Sequence, residues 1–409
     1  MTERDDRLLT RRILLAVAAL VLVVGPLSAQ TTDRPPSAAA VQIGPLVLYP
    51  SVRIRDIGVD SNVFNEATDP KDDFSFTVAP QLETVLRVGV LQLTATSGAD
   101  FVYYQTYKDE ESSDMLLGGR IETVSTRLQP YVSAGRSRSR QRVGYEIDAR
   151  ALHVESNVRA GLDWEMTPVT ALTGWVRREH LDYADGETFE GIELSDQLNR
   201  TSEAAAVGAR FSITPLTMLV VAVELQRDRF ANTGFLRDAD SVRVAPEFQF
   251  DPAAAINGRV AVGYREFRPL NPALPRYRGL VASVGTTFTV VGMTEFDIEA
   301  NRDVTYSLDA SAPYYLASGV RVRVSQRIAG PFDIIGIGAW QGLRYQTLGE
   351  EQLSGRRETT TTTGGGVGFR LNENLRFAVT YDLSRRHSHE AGGREFVRRR
   401  LLGAVEYGR

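Results

Sequence analysis

The stretch Tyr49–Phe64, "YPSVRIRDIGVDSNVF", raises the question that decides the fold. In it, Val52 and Ile54 alternate with Arg53 and Arg55. Successive side chains of a strand point to opposite faces, so this strand would be apolar on one face and basic on the other. A strand buried on both faces does not carry two arginines. The stretch therefore predicts a sheet with one apolar face and one charged, hydrated face.

The same alternation recurs along the chain, with a charged polar face each time. Examples are "FSFTVAPQLETVLRV" (74–88), "VESNVRAGLDWEM" (154–166), "SVRVAPEFQF" (241–250) and "LRFAVTYDL" (375–383). Period-2 alternation is typical of strands, and no long segment shows a helical period. We predict about 18 strands, starting near residues 50, 74, 90, 114, 127, 152, 169, 200, 216, 240, 256, 278, 294, 314, 332, 357, 374 and 395.

The connections between these strands alternate in length. Short ones include "RVGVL" and "MTPVT", and long polar ones include "NEATDPKDD" and "DGETFEGIELSDQ". An outer-membrane barrel sorts its connections in this way, with short periplasmic turns and long external loops. Lipid cannot satisfy a free sheet edge, so such a wall must close. The fold class predicted is an all-β, closed antiparallel transmembrane up-and-down β-barrel of about 18 strands (16–18).

The N-terminus predicts the domain organisation. The segment "MTERDDRLLTRR" is followed by an apolar run, Ile13–Val24, and then by "GPLSAQ". This is the layout of a secretory signal peptide with cleavage after Ala29, and the apolar run is shorter than the roughly 20 residues that span a bilayer. We therefore expect a cleaved signal peptide at 1–29, a flexible periplasmic leader at 30–42 and the barrel at 43–409. The chain has no Cys, which excludes disulfides and thiolate metal sites.

Two segments near the start of the barrel resemble a known family. They are "IGPLVLYPSVRIRDIGVDSNVF" (43–64) and "DDFSFTVAPQLETVLRVG" (72–89), in which Asp60–Phe64 and Ala79–Leu82 carry most of the resemblance. The chain is similar to the putative beta-barrel porin-2 family. The resemblance implies an outer-membrane barrel, of a kind often associated with exopolysaccharide and capsule gene clusters. It also implies a role in moving or positioning polysaccharide. One departure is the C-terminus, where Tyr407 is followed by Gly408 and Arg409 rather than closing the chain.

The polar face of the predicted strands supplies the pore-lining candidates. Both charge signs are present, and a mixed hydrated wall suits neutral or weakly charged solutes. Opposed arginines and carboxylates could also hold glycan hydroxyls and uronate groups, while bracing of the wall is the alternative for each residue. The candidates are Arg53, Arg55, Glu83, Arg87, Glu155, Arg159, Asp163, Arg243, Glu247, Arg259, Arg265, Asp297, Glu299, Arg321, Arg323, Arg376 and Asp382.

A basic run, "RSRSRQR" (136–142), lies at the outer end of a predicted strand. Arg136, Arg138, Arg140 and Arg142 form either a docking patch for lipopolysaccharide or an acidic glycan, or a solvated loop flank. The partners expected are outer-membrane lipid and lipopolysaccharide, the barrel-assembly machinery, and polysaccharide with its export proteins. The net charge of −4 and the compartment argue against nucleic acid.

Catalytic and metal-binding residues are not predicted. His387 and His389 could touch a metal, but no further ligand set accompanies them, and no Gly-x-Ser-x-Gly elbow is present. We expect no cofactor and no enzyme activity. The leading hypothesis is a porin-like barrel for export or passage of exopolysaccharide or other saccharides. The alternatives are a non-conducting structural or interaction barrel with a plugged lumen and, more weakly, an outer-membrane hydrolase.

Overall fold

The structure is a computed structural model that describes residues 40–124, 126–142, 144, 146–251, 254–309, 311–346, 356–389 and 394–407. The predicted signal peptide, 1–29, and most of the predicted leader lie outside the described residues, as do Gly408 and Arg409. No helix in the described part is long and apolar enough to cross a membrane.

Eighteen strands form one closed antiparallel barrel, which confirms the predicted fold. They are β2 (Leu46–Asp60), β3 (Asp73–Val88), β4 (Leu91–Tyr104), β5 (Ser112–Thr123), β6 (Leu128–Gln141), β7 (Ala151–Thr167), β8 (Thr170–Tyr183), β11 (Arg200–Thr214), β12 (Thr217–Phe230), β13 (Ala239–Phe250), β14 (Ile256–Pro269), β15 (Tyr277–Val290), β16 (Thr294–Tyr306), β17 (Tyr314–Ala329), β18 (Phe332–Gln346), β19 (Arg357–Arg370), β20 (Leu375–Ser388) and β21 (Phe396–Tyr407). Each start lies within two residues of its predicted position except the first, at 46 rather than 50.

Three short strands and one short α-helix accompany the eighteen strands of the barrel. Strand β1 (Val41–Ile43) forms a hairpin with the start of β2. Strands β9 (Thr188–Phe189) and β10 (Ile192–Glu193) pair within one outer connection and lead into a short helix, α1 (Leu194–Leu198). Strand β1 adds only a short edge to β2, and β9, β10 and α1 lie in a connection, so the barrel itself is built almost entirely from alternating strands.

The opening stretch belongs to the seam where the barrel closes. Strand β2 pairs with β3 on one side and with β21 on the other, with Val52 opposite Tyr407. A bulge interrupts the register between Ile54 and Ile57, where Asp56 has a φ of +58°. A bulge adds one residue to one strand and changes which face the following side chains occupy. Asp60 therefore shares the inner face with Arg55, although their spacing is odd.

The two faces of the wall answer the question raised by the alternation. The outer face carries large exposed apolar side chains along most strands, among them Val207, Leu280 and Val367, with Trp164 and Tyr381 as further aromatic members. Most charged side chains of the strands lie on the opposite, inner face, although a few, such as Arg136 and Arg138, lie on the outer face. Apolar side chains face lipid and polar ones face the lumen, as in outer-membrane barrels.

The two rims differ as predicted. One rim has short turns, such as 89–90, 168–169, 215–216 and 330–331. The other has nine longer connections, which we name L1 (61–72), L2 (105–111), L3 (142–150), L4 (184–199), L5 (231–238), L6 (270–276), L7 (307–313), L8 (347–356) and L9 (389–395). Since external loops of these barrels are the longer ones, L1 to L9 mark the outer end.

Candidate functional site: the lumen and its outer mouth

The predicted pore-lining residues lie on the inner face of the wall. Most occupy the strand position opposite to the exposed apolar side chains of their own strand, whereas Asp297 and Glu299 of β16 are assigned by their register with Arg323 and Arg321 of β17. The set is Arg53, Arg55, Glu83, Arg87, Glu155, Arg159, Asp163, Arg243, Glu247, Arg259, Arg265, Asp297, Glu299, Arg321, Arg323, Arg376 and Asp382. The alternation of apolar and polar residues accounts for their position, and their role in the passage of solutes stays a prediction.

Ion pairs in the body of the lumen run along the wall. Arg265 Nη1 lies 2.8 Å from Asp303 Oδ1, and Arg243 Nη2 lies 2.7 Å from Glu224 Oε2. Similar pairs are Arg55–Asp100, Arg210–Asp163 and Arg376–Asp333. All of them join strands that are adjacent or two places apart around the barrel. The pairs brace neighbouring strands and leave a charged wall around the lumen.

The upper part of β16 separates from β15 and packs against the inside of the wall, while its hairpin partner β17 stays paired with β18 along its length. Strand β16 pairs with β15 only from Thr294 to Arg302. Beyond that point its Tyr306 packs with Tyr314 and Leu316 of β17, and these side chains contact the inner faces of β13 to β15. The Tyr306 hydroxyl reaches Asp228 of β12, with an oxygen–oxygen distance of 2.9 Å. The hairpin therefore lies against the inside of four neighbouring strands.

An apolar cluster joins the tip of this hairpin to the opposite side of the barrel. Leu308 of L7 is 5% exposed and packs with residues of L3, L4 and the tops of β7 and β8. Strands β6 and β7 lie almost opposite β16 and β17 in the strand order, so this contact crosses the mouth. The cluster consists of Ile147, Ala151, Tyr183, Phe189, Leu194, Leu198 and Leu308. We call this cluster, with L3, L4 and L7, the outer plug.

Two buried charged side chains fasten the outer plug. Arg237 of L5 donates to the carbonyl oxygens of Gln197, Ser307 and Asp309, at 3.1, 2.5 and 2.9 Å. Glu146 of L3 accepts from the Ser307 hydroxyl at 2.6 Å and from the Leu308 amide at 2.9 Å. Both side chains hold the same turn of L7. The backbone groups of that turn are thus satisfied across the lumen rather than by water.

An ion-pair network fastens L3 to the far wall. Asp148 of L3 lies 2.6 Å from a guanidinium nitrogen of Arg386 on β20 and 2.8 Å from one of Arg394 in L9. Arg386 also pairs with Glu358 of β19, and both of these side chains are 1% exposed. Arg356 of L8 pairs with Glu358 in turn, at 2.5 Å. Buried charges are tolerated when they are paired and hydrogen-bonded, as here.

Burial perturbs the titration of the charged loop residues. It raises the pKa of the Glu146 carboxyl above its ordinary value, and the hydrogen bonds from Ser307 and Leu308 offset part of the rise. Burial lowers the pKa of Arg237 to about 10 and that of Arg142 to about 10. Both arginines therefore stay charged at neutral pH, and the Glu146 carboxyl takes up a proton at a higher pH than its ordinary pKa would allow.

The predicted basic patch at 136–142 is divided by the structure. Arg136 and Arg138 share the outward face of β6, opposite Leu117 and Met115 of β5, and are exposed. Arg140 pairs with Glu187 of L4 at 2.5 Å. Arg142 turns inward, where it donates to the Asp148 carbonyl oxygen at 2.5 Å and to the carbonyl oxygen of Val63. Two members face the membrane side and two belong to loop contacts.

The histidine pair lies at the outer rim. His387 Nδ1 is 2.7 Å from Glu395 Oε1, and the rings of His387 and His389 are in edge contact. Among the described residues there is no group of three or more His, Asp and Glu side chains placed to hold a metal ion.

A plugged lumen was one of the alternatives from the sequence, but the residues of the apolar cluster were not predicted, although a signal for them exists. In Tyr314–Ala317 four residues in succession are buried, so the strand does not alternate there. A wall strand facing lipid and water alternates, whereas a run without alternation indicates cover on both faces. The apolar residues of "IELSDQL" (192–198) inside a long polar connection are a second such signal.

Comparison with known proteins agrees with this architecture. A family model described as "Putative beta-barrel porin 2" matches residues 34–406. Among solved structures, OccK2 (OpdF) of Pseudomonas aeruginosa in complex with glucuronate is similar with a TM-score of 0.50 and 8% identity, over 88% of this chain and 98% of that chain.

Two further solved structures show weaker likeness. A BenF-like porin of Pseudomonas fluorescens Pf-5 has a TM-score of 0.46 and 9% identity, over 88% of this chain and 98% of that chain. The FrpB iron transporter of Neisseria meningitidis has a TM-score of 0.41 and 11% identity, over 83% of this chain and 62% of that chain. Among curated proteins no match was found.

Proposed function

We propose a transport function from one premise: the chain belongs to the family described as putative beta-barrel porin 2 and is a porin-like barrel of the bacterial outer membrane. The proposed function is regulated passage of saccharides, including exopolysaccharide, through the barrel. One observation carries it. The lumen is lined by a charged wall, and the outer mouth is crossed by loops and one hairpin.

The chemistry of the wall supports a saccharide as cargo. Arginine offers a rigid fork of donors and the carboxylates offer acceptors, so a sugar hydroxyl meets partners of both kinds along the lumen. Acidic sugars also match arginine because a carboxylate is bound bidentately. The similar barrel OccK2 was solved with glucuronate, which makes glucuronate a sensible first probe for this chain.

A second function is supported by a different observation. Residues of L1, L2 and L6 also contact the outer plug or its neighbours, because the backbone carbonyl oxygens of Val63, Glu110 and Pro275 accept hydrogen bonds there. Such extensive fastening suits a closed structural barrel that anchors partners at the cell surface. For neither function do we propose an enzymatic step, and the family supports a channel.

Conductance in a planar bilayer separates the two functions. The chain from Gln30 to Arg409 is refolded and compared with Leu308→Asp, which places a charge in the apolar cluster of the outer plug. The matched control is Leu236→Asp, which makes the same change at a residue of L5 that is 61% exposed. A folded barrel is recognised by its resistance to SDS and its mobility shift on heating.

We expect low or flickering conductance from the unmodified chain and a several-fold larger, steady conductance from Leu308→Asp, because an unpaired carboxylate is not tolerated in an apolar cluster. Leu236→Asp should behave as the unmodified chain. If neither the unmodified chain nor folded Leu308→Asp conducts, the lumen below the plug does not conduct, and the structural barrel is the better account.

A further inference from the structure

One arginine of the lumen wall lies against two aromatic rings and has no carboxylate partner among the described residues. The guanidinium carbon of Arg159, on β7, lies 4.1 Å from the ring centroid of Trp175 on β8 and 6.0 Å from that of Tyr131 on β6. A guanidinium within about 6 Å of a ring centroid is attracted by the ring. The three side chains all belong to the inner face of adjacent strands.

The backbone prepares this arrangement. Tyr131, Gly161 and Trp175 stand in one row across β6, β7 and β8. A Cβ at Gly161 would lie 2.4 Å from the Tyr131 ring, so only glycine lets that ring lie flat against the wall. Arg120 covers the same ring from one row above, with its guanidinium carbon 3.9 Å from the ring centroid. The aromatic rings are therefore fixed before any ligand arrives.

The neighbouring arginines are neutralised, and Arg159 is not. Arg120 lies 2.7 Å from Glu122, and Arg177 lies 3.4 Å from Glu179 and 3.9 Å from Glu224. In the part of the chain that the structure describes, Arg159 has no carboxylate partner, and its Nε is buried without a hydrogen-bond partner. A cation that lies against rigid aromatic rings and has no carboxylate partner is suited to bind an anion.

We propose that Arg159, supported by Trp175 and Tyr131, is a binding subsite for the carboxylate of an acidic sugar inside the lumen. The guanidinium fork binds the carboxylate, and the rings beside it supply apolar surface for the sugar ring. The cargo class rests on the proposed function, because a saccharide must enter the lumen to meet this site. The site itself is a local feature of three strands and can be tested without transport.

Trp175 is a built-in reporter for this subsite. The chain has three Trp, and Trp164 and Trp340 lie on the lipid-facing side. In a Trp164→Phe/Trp340→Phe background, the fluorescence of the refolded barrel reports Trp175 alone. The protein is titrated with glucuronate and with a short oligoglucuronate, and glucose serves as the uncharged comparison. Arg159→Gln removes the charge, and Arg159→Lys keeps a charge without the planar fork.

We expect saturable changes with the acidic sugars, little change with glucose, and affinity about ten- to a hundredfold weaker in Arg159→Gln, because hydrogen bonds to charged groups contribute about 1.5–3 kcal/mol. The affinity of Arg159→Lys for the acidic sugars should lie between that of the parent and that of Arg159→Gln. The control Arg227→Gln removes a charge from the outer face of β12 and should leave the Trp175 titration unchanged.

The proposal is overturned if the Trp175 signal does not saturate, or if folded Arg159→Gln and Arg159→Lys bind as the parent does. If acidic sugar binds at Arg159 but the barrel does not conduct, the proposed passage of saccharides is contradicted and the proposed subsite stands. Conductance that acidic sugar does not affect, together with an unresponsive Trp175, would remove the subsite while leaving a channel.

Discussion

The outer mouth and the body of the lumen use arginine in opposite ways. At the mouth, Arg386 and Arg237 are buried, and their donors are engaged by carboxylates or by backbone carbonyl oxygens of other loops. In the body, Arg243 and Arg376 pair with neighbouring strands and stay partly exposed to the lumen. The same side chain locks loops together above and lines a hydrated wall below.

The contrast teaches where stability and function reside. A buried ion pair loses its hydration and depends on every partner, so removing one member is costly. A pair on a hydrated wall is screened by water, and its removal costs little. We therefore expect substitutions at the mouth to change structure and gating, and substitutions on the wall to change selectivity.

The largest effect is expected from Arg386→Ala. It leaves the carboxylates of Asp148 and Glu358 buried with one partner fewer, and breaking a buried pair costs about 3–5 kcal/mol. Amide hydrogen exchange in residues 146–150 should accelerate by about a hundredfold or more, since each 1.4 kcal/mol is roughly tenfold. Arg243→Ala is the control on the wall. Equal acceleration in both variants would abolish the contrast between the two regions.

The next effect concerns pH. The pKa of Glu146 is raised in the folded state by burial, so the folded protein holds the proton more tightly than the unfolded chain does. Its contribution to stability is therefore fully present below the ordinary carboxyl pKa of 4.5 and is lost as the pH rises through the raised value. The outer plug should be tighter, and conductance lower, at mildly acidic pH than at pH 7.5.

Variants isolate this group from other carboxylates of the mouth. The groups that affect Glu146 include Ser307, Leu308, Tyr345, Arg356 and Arg237. Glu146→Gln imitates the protonated form, so conductance at pH 7.5 should match that of the parent in acid and should vary less with pH. Glu187→Gln, in L4, should keep the parent's pH dependence. A pH dependence that persists in Glu146→Gln would assign it to another group.

Much of the wall was predictable, and the mouth was not. Alternation is imposed along the whole of a strand such as β7 or β20, because one face meets lipid and the other meets water. Strand starts were accordingly predictable to within two residues for all strands but the first. Glu146 and Ser307, in contrast, are separated by 161 positions, and no local pattern joins them. The bulge at Asp56 limits prediction on a smaller scale. It changes which side chains of β2 face the lumen after that residue, and the alternation before it does not reveal the change.

The smallest effect concerns Arg136 and Arg138, which face outward on β6 near the outer rim. We propose that they contact phosphate groups of lipopolysaccharide, where a basic side chain near an anionic membrane surface contributes about 1 kcal/mol. Arg136→Gln/Arg138→Gln should lower by a few degrees the temperature of the SDS mobility shift in membranes that contain lipopolysaccharide. It should leave that temperature unchanged in phosphatidylcholine. The lumenal pair Arg321→Gln/Arg323→Gln removes the same charge and should show no dependence on lipid. If both double variants respond alike, the outward position of the arginines carries no information about lipid, and only total charge matters.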